Sequence, residues 1–242
     1  MIAVAVKRKV RLSGHRGYKD GEIENTWKAF QRAIAEKIDY VEFDVKKTSD
    51  GVLVVYHDEF LTRLLHVNKR IGKVSWKELQ GYAYDDGQHV LALDDFFTAF
   101  KGKIKPMLEI KAGGIEKQLL ALVEKHGLET SIIIQCFNGR HIKKCHSLRP
   151  NITYGLCIGP ASGAISYHFL VKPYPVTYLN IDGPLVDDRF VHACIQGGKK
   201  IILGARNTWE YLDKIEPWNV EIINADNPAR IKQLLIERHY EL

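Results

Sequence analysis

The chain has little cysteine and no long hydrophobic run, and these two absences exclude several classes of protein. Its 242 residues include four cysteines, and no two of them have the close CxxC spacing of zinc and redox motifs. No stretch approaches the roughly 18 consecutive apolar residues that a transmembrane helix requires. We therefore expect reduced thiols and no membrane span.

Basic residues are in excess but are not clustered. The formal net charge is +6, yet pairs such as Lys46-Lys47 form no stripe with interleaved aromatic residues, the pattern typical of nucleic-acid-binding proteins. Three basic residues follow the apolar residues 1–6, whereas a signal peptide has charge first and the apolar stretch second. We expect a cytoplasmic protein that binds a small molecule, not nucleic acid, and the positive charge suits a phosphorylated one.

Short β-branched runs alternate with helical stretches along the whole chain. This rhythm predicts parallel strands with crossover helices, and about eight repeats predict an α/β (β/α)8 TIM barrel forming a single domain over residues 1–242. The candidate strands are 10–13, 40–45, 52–56, 104–110, 132–135, 153–157, 177–181, 200–203 and 220–224. The candidate helices are 25–37, 93–100, 114–126, 139–148, 187–196, 208–215 and 229–238.

One segment interrupts the rhythm. Residues 58–91 contain Gly72, Gly81 and Gly87 and no clear strand. No change in composition marks a linker there. The segment is predicted to be a small insertion after the second strand that caps the barrel.

Carboxylates alternate with apolar residues in two of the candidate strands. Because successive side chains of a strand point to opposite faces, Glu42 and Asp44 share one face, and Glu109 shares a face with Lys111. Two inward carboxylates repel each other unless a cation or a proton lies between them. We therefore interpret Glu42, Asp44 and Glu109 as candidate metal ligands. The competing interpretation is that Glu42 and Asp44 are solvated on an exposed edge strand.

Two histidines also follow candidate strands, at the end where active sites of (β/α)8 barrels lie. His15 and Arg16 stand between two glycines, which allow the backbone to approach a ligand closely. His57 follows the run 52–56. A satisfied core histidine and a simple strand terminator are the competing interpretations. Lys111 suits a phosphate counter-charge, although a lysine extending along the barrel rim is the alternative.

An ordered set of motifs across nearly the whole chain resembles the glycerophosphodiester phosphodiesterase family. The matching motifs are His15-Arg16-Gly17, Glu24-Asn25-Thr26, Glu42-Phe43-Asp44-Val45, Thr48-Ser49-Asp50-Gly51, His57-Asp58, Leu61-Thr62-Arg63, Leu108-Glu109-Ile110-Lys111, Gln135-Cys136-Phe137 and Asp226-Asn227-Pro228. This resemblance implies a (β/α)8 barrel that hydrolyses glycerophosphodiesters to glycerol 3-phosphate and an alcohol, with a divalent cation.

The resemblance also implies roles for individual residues. Three carboxylates would be the metal ligands, His15 and His57 the acid–base pair, and Arg16 and Lys111 the phosphate ligands. An all-oxygen ligand set suits one Mg²⁺ or Ca²⁺ better than Zn²⁺. The alternatives are lysophospholipase D-type activity on lysophospholipids and a catalytically inactive barrel that binds phosphodiesters or serves as an interaction module.

The chain departs from the family pattern at three places. Ile23 replaces a proline before the Glu-Asn-Thr motif, and Cys136 replaces a serine before Phe137. On the seventh strand, the Trp-Thr-x-Asn motif of the family is Gly204-Ala205-Arg206-Asn207 here. Loss of the indole predicts a wider substrate pocket, unless another aromatic such as Trp76 or Trp209 fills the space.

Overall fold

The computed structural model describes residues 7–159, 167–182, 186–204 and 209–242, with positions 7, 168, 209 and 210 described for their backbone only. The strands are β1 Lys7–Lys9, β2 Arg11–Gly14, β3 Tyr40–Lys47, β4 Leu53–Val55, β5 Leu91–Ala92, β6 Lys105–Ile110, β7 Ile133–Cys136, β8 Thr153–Ile158, β9 Tyr178–Asp182, β10 Lys200–Gly204, β11 Val220–Ala225 and β12 Tyr240–Glu241. The α-helices are α1 Trp27–Ala35, α2 Thr62–Leu65, α3 Trp76–Leu79, α4 Leu93–Phe100, α5 Glu116–Lys125, α6 Gly139–Leu148, α7 Tyr167–Leu170, α8 Asp188–Gln196 and α9 Pro228–Glu237.

Eight parallel strands close into a barrel. Each of β6 to β11 pairs in parallel with its neighbour, β3 pairs with β6, and β2 closes the ring by pairing with both β11 and β3. The predicted (β/α)8 fold is therefore confirmed. Strand β1 lies outside the ring and pairs with β12, so the two ends of the described chain meet beside the barrel.

The run 52–56 was expected to be one of the parallel strands, and this expectation is wrong. Strand β4 is antiparallel to β3 and pairs in turn with the antiparallel β5, so both lie outside the ring of eight. The physical reason is local: the short turn around Gly51, whose φ is +91°, reverses the chain directly after β3, and a parallel strand needs a longer crossover connection. The insertion thus follows the second barrel strand, and it adds α2, α3 and the 3₁₀ turn Ile71–Lys73.

The inner face of the barrel changes from apolar to polar along the strands. Buried apolar residues at the amino-terminal half form one cluster: Tyr40, Met107, Ile133, Tyr178, Ile202 and Ile222. Because strand side chains alternate, the residue two positions later points the same way. Five of these six positions are polar: Glu42, Glu109, Gln135, Asn180 and Asn224. The sixth is Gly204. The barrel interior is therefore apolar toward the amino-terminal ends of the strands and polar toward their carboxyl ends.

Two larger apolar clusters hold the outer layers. One joins the strands to the surrounding helices, and it includes the aromatic group Phe30, Phe43 and Phe96, with ring centroids 4.2–6.1 Å apart. The other belongs to the insertion and is built around Tyr56 and Leu79. The insertion therefore has its own apolar core against the barrel.

Most predicted helices are present within a few residues of the expected bounds. The predicted helix 25–37 begins later because Thr26 is its N-cap, accepting a hydrogen bond from the backbone N–H of Ala29. The predicted helix 208–215 is instead the 3₁₀ turn Trp209–Lys214, and position 208 lies outside the described residues. Within the described ranges, no helix combines the length and apolar character that crossing a membrane would require.

Candidate active site

Three carboxylates meet at the carboxyl end of the barrel. Register places Asp44 opposite Glu109 on adjacent strands, and Glu42 lies one inward position below Asp44. All three are buried, and one oxygen from each lies within 4.8 Å of the others. Burial, Asp44 and Glu109 together raise the pKa of Glu42 well above its usual value. Burial, followed by the charge of Asp44, raises the pKa of Glu109 to about 7. The solvated-edge interpretation of Glu42 and Asp44 is therefore wrong.

Two cations compensate part of this negative charge. The Nζ of Lys111 lies 2.6 Å from Glu109 and 3.6 Å from Asp44. The guanidinium of Arg16 has its Nε 3.4 Å from Asp44, and its backbone N–H donates to Glu42 at 3.0 Å. Both side chains line the same cavity as Glu42 and Glu109, and Asp44 lies buried behind them. The structure therefore brings together all five charged residues predicted from the strand pattern.

The loop after β2 holds Arg16 in a strained conformation. Arg16 has φ +56° and Asn25 has φ +59°, and the backbone N–H of Asn25 donates to the carbonyl of Arg16 at 2.8 Å. Left-handed conformations of non-glycine residues concentrate at functional sites. A Cβ at Gly14 would lie 2.2 Å from the carbonyl oxygen of Gly17, so this tight turn requires glycine there. The turn directs Arg16 over the carboxylates, while the Asn25 amide donates to Asp44.

Each of the two predicted histidines has a carboxylate on its Nδ1. His15 Nδ1 lies 2.5 Å from Asp226, and His57 Nδ1 lies 2.6 Å from Asp58. Burial alone would raise the pKa of Asp226, but the hydrogen bond with His15 and the charges of His15, Lys19 and Arg16 together outweigh burial and lower it. Burial lowers the pKa of His57 and so favours its neutral form. Carboxylates at both Nδ1 atoms leave Nε2 as the nitrogen available to a ligand.

His57 reaches the site by a different route from the one expected. It follows an antiparallel strand, and the backbone N–H of Tyr56 donates to the carbonyl of Asp44 at 3.0 Å. The chain runs past the barrel rim along β3 and returns along β4, so His57 arrives level with the carboxylates. The carboxyl-end argument was therefore correct for His15 but not for His57.

The site residues surround an open cavity at the mouth of the barrel, which holds about 530 Å³ of non-protein space including open solvent. Besides six of the seven predicted residues, its lining contains Phe137, Cys157, Ile158, Asn180, Asp182, Gly204 and Asn224. The Lys111 ammonium lies 5.3 Å from the centre of the Phe137 ring. Burial keeps the Cys157 thiol neutral by raising its pKa. The cavity lining thus combines the predicted charged residues with amides, apolar surface and the carboxylate of Asp182.

Several residues that contact the site were not predicted as part of it. Asp226, Asp58, Glu24 and Arg63 belong to matched motifs but had no role attached to them. Asp226 follows β11 directly, so its place at the carboxyl end of a barrel strand was a usable signal. Glu24 and Arg63 lie outside barrel strands, and nothing in their spacing indicates that they meet.

The three departures from the family pattern have different structural settings. Ile23 packs against the apolar cluster of the insertion. The Cys136 thiol contacts the carbonyl of Ile110 and the backbone N–H of Asn138, both at 3.3 Å, which are contacts a hydroxyl would make. Gly204 lines the cavity, and Trp76 packs in the insertion cluster instead of filling that space. Positions 205–208 and the Trp209 side chain lie outside the described residues.

The carboxylate cluster fits a metal ion. Three carboxylates face two cations, which leaves one net negative charge when all are ionised. The buried Oε1 of Glu109 lies near Lys111 but accepts no well-aligned hydrogen bond from the described residues. A divalent cation would satisfy this oxygen and relieve the repulsion that raises the pKa of Glu42 and Glu109. The cluster could therefore hold a metal through oxygen ligands alone.

The fold and the cavity place the chain among (β/α)8 enzymes, whose active sites lie at this end of the barrel. The chain belongs to the glycerophosphoryl diester phosphodiesterase family, whose sequence model matches residues 15–230. It is accordingly a phosphoric diester hydrolase, and this confirms the resemblance predicted from the motifs.

Individual relatives agree with this membership. The chain is 26% identical to a glycerophosphodiester phosphodiesterase of Caldanaerobacter subterraneus subsp. tengcongensis, over 94% of this chain and 98% of the relative. It is 27% identical to the mouse lysophospholipase D GDPD3, over 62% of this chain and only 49% of that protein. Its fold matches an Oleispira antarctica phosphodiesterase solved with the product sn-glycerol-3-phosphate, with TM-score 0.83 and 20% identity over 96% of this chain and all of the other.

Proposed function

We propose that the protein hydrolyses glycerophosphodiesters to glycerol 3-phosphate and an alcohol, using one divalent metal ion and two histidines. The observation that carries the proposal is the arrangement around the cavity. Three buried carboxylates lie beside two phosphate-compatible cations, and two imidazoles, each with a carboxylate on its Nδ1, line the same cavity.

The cations prepare the phosphodiester for attack. A phosphodiester is an anion that repels nucleophiles, so its oxygens must be neutralised first. The Arg16 guanidinium can donate to two phosphate oxygens at once, and the Lys111 ammonium adds a point charge. Glu42, Asp44 and Glu109 would hold the metal. When bound, it supplies further positive charge to the phosphoryl oxygens, and the hard oxygen ligands favour Mg²⁺ or Ca²⁺.

The two histidines supply the proton transfers. A neutral imidazole accepts a proton from the attacking group, and a protonated one delivers a proton to the leaving alkoxide. The attacking group is either water or the glycerol 2-hydroxyl, and in the second case water then opens the cyclic phosphate to give glycerol 3-phosphate. Asp58 and Asp226 hold the Nδ1 protons, so in each ring Nε2 carries out the transfer. A barrel that only binds phosphodiesters would need the cations but not two oriented imidazoles, so this pairing favours catalysis over the inactive alternative.

The test is product identification with the purified protein and glycerophosphocholine. We expect choline and glycerol 3-phosphate in equal amounts when Mg²⁺ or Ca²⁺ is supplied. Phosphorus NMR detects the glycerol 3-phosphate, and an enzymatic assay detects the choline. The absence of turnover with either metal would favour the inactive binding module. Release of phosphocholine would show cleavage on the other side of phosphorus and would contradict the proposed reaction.

A second substrate class is favoured by a groove beside the cavity. The groove holds about 690 Å³ of non-protein space and shares Phe137, Cys157 and Ile158 with the cavity. It continues to Leu170 and Tyr174. The Phe137 side chain is 54% exposed, so an apolar surface stands open next to the site. An acyl chain on the glycerol would lie there, which supports lysophospholipase D-type activity.

The acyl-chain hypothesis has its own assay. We expect choline release from lysophosphatidylcholine below its micellar concentration. Phe137→Ala should lower kcat/KM for this substrate by about tenfold more than for glycerophosphocholine, because a lost apolar contact is worth about 1–3 kcal/mol. Equal losses on both substrates would mean that Phe137 acts only through its contact with Lys111. The groove would then have no part in substrate binding.

A further inference from the structure

A chain of three ion pairs and one hydrogen bond connects Arg16 to His57 outside the cavity. Glu24 accepts from Arg16 Nη1 at 2.8 Å and from Arg63 Nη2 at 2.5 Å. Arg63 Nε donates to Asp58 at 2.6 Å, and the other oxygen of Asp58 lies 2.6 Å from His57 Nδ1. Charges alternate in sign from Arg16 to Asp58, and His57 joins the chain through its Nδ1 hydrogen bond. The central member is Arg63, which bridges the two carboxylates.

Arg63 is outside the reacting centre. It comes from α2 in the insertion, its side chain is 47% exposed, and it does not line the cavity. Glu24, by contrast, is only 3% exposed, so its charge depends on the cations around it. One planar guanidinium serves both carboxylates through two different N–H groups, which a lysine ammonium cannot reproduce with the same geometry.

We propose that Arg63 is a positioning residue that fixes the His57 ring through Asp58 and the Arg16 guanidinium through Glu24. The kinetic test of this proposal rests on the proposed function, whereas the structural test does not. With Arg63 present, Asp58 is held so that it accepts the Nδ1 proton of His57, and Nε2 faces the reaction. Without it, Asp58 loses its second hydrogen bond and rotates, and the ring no longer keeps one tautomer.

The Glu24 side of the bridge is partly redundant. Lys19 Nζ lies 3.7 Å from Glu24 and 3.7 Å from Asp226, so Glu24 keeps two cations when Arg63 is removed. Asp58 has no such reserve among the described residues. The proposal therefore predicts a larger effect on His57, and hence on kcat, than on phosphate binding by Arg16.

We expect the fold to survive the loss of Arg63. The insertion is held by its own buried apolar residues, among them Leu61 and Leu65 on either side of Arg63. Arg70 offers a matched control, since it lies in the same insertion and stacks at 5.1 Å over the Phe60 ring without joining the ion-pair chain. Removing either arginine changes the net charge equally.

The kinetic test compares Arg63→Ala with Arg70→Ala in the metal-loaded protein. We expect Arg63→Ala to lower kcat for glycerophosphocholine about 10–100-fold, with a smaller change in KM. A decrease in kcat of this size is usual when a residue that orients a catalytic group is removed. Millimolar methylguanidinium should restore part of kcat in Arg63→Ala alone. The kcat of Arg63→Lys should stay below that of Arg63→Ala with methylguanidinium, because an ammonium cannot bridge both carboxylates with the same geometry. Near wild-type kcat in Arg63→Ala would overturn the proposal.

A second readout does not depend on turnover. Nitrogen-15 NMR of the imidazole rings, recorded above the pKa of His57, distinguishes a proton on Nδ1 from one on Nε2. We expect one Nδ1–H tautomer for His57 in the wild type and in Arg70→Ala, and a mixture in Arg63→Ala. An unchanged tautomer would overturn the proposal even if activity falls. If the wild type hydrolyses no diester, the proposed function fails, and the tautomer comparison still decides the role of Arg63.

Discussion

Asp226 lies 2.5 Å from His15 although 211 positions separate them in sequence. The first and last strands of the barrel are neighbours, so the closing β11–β2 pairing brings the residue after one strand to the residue after the other. Because Asp226 stays ionised, it accepts the Nδ1 proton of His15. Barrel closure thus orients a proposed catalytic ring.

Replacing Asp226 with Asn should separate orientation from charge. The amide keeps the size of the carboxylate but removes the charge that fixes the His15 tautomer. We expect kcat to fall about 10–100-fold while the melting temperature changes little. Steady-state kinetics on glycerophosphocholine checks this, and unchanged kcat would show that His15 needs no carboxylate partner.

The contact between Asp226 and His15 is of a kind that the sequence alone does not predict. Strand alternation was enough to place Glu42 and Asp44 on one face, and the eightfold rhythm was enough to predict the barrel. Pairings such as Arg63 with Glu24 depend on how the insertion folds back, and a single amino-acid sequence carries no signal for them. The antiparallel β4 was misread because an apolar β-branched run has the same pattern in either strand direction.

Removing both histidines should cost little more than removing one. General acid and base groups typically contribute about 10²–10⁴ in rate, and groups that act as a unit are not additive. We expect His15→Ala and His57→Ala each to lose most turnover with the fold preserved, and the double variant to resemble either single one. Rate against pH should be bell-shaped. A single variant with near wild-type turnover would remove that histidine from the mechanism.

Gly204 should control access for bulky substrates. Of the six inward positions that follow the apolar layer of the barrel, this is the one without a side chain. It lines the cavity. We expect Gly204→Trp to depress hydrolysis of lysophosphatidylcholine more than that of glycerophosphocholine. A Cβ there would lie 3.1 Å from the carbonyl oxygen of Ile181, so the melting temperature must be measured alongside. Equal losses on both substrates would contradict the open pocket.

Glu116 should make stability depend on pH in acid. Burial alone would raise its pKa, but hydrogen bonds from Lys144 at 2.8 Å and His141 at 2.6 Å outweigh burial and lower the pKa to about 2. A depressed carboxyl pKa stabilises the folded state above the unfolded value of 4.5, and this contribution is lost as pH falls toward 2.

Denaturant unfolding of Glu116→Gln checks this sign. We expect the variant to be roughly 1 kcal/mol less stable at neutral pH, since Lys144 is half exposed, and the difference should shrink as the pH falls from about 5. Glu237→Gln is the control, because Glu237 is exposed on α9 and has no ion pair among the described residues. A difference that stays constant with pH would contradict the assignment.

The most direct test of the account is metal dependence of glycerophosphocholine hydrolysis in the wild type and Glu42→Gln. We expect chelation to abolish wild-type turnover, Mg²⁺ or Ca²⁺ to restore it, and Glu42→Gln to need much more metal and stay far slower, since one ligand charge is gone. Calorimetric titration should show the same weakening of metal binding. Full wild-type activity after exhaustive chelation would contradict the assignment of Glu42, Asp44 and Glu109 as the metal site.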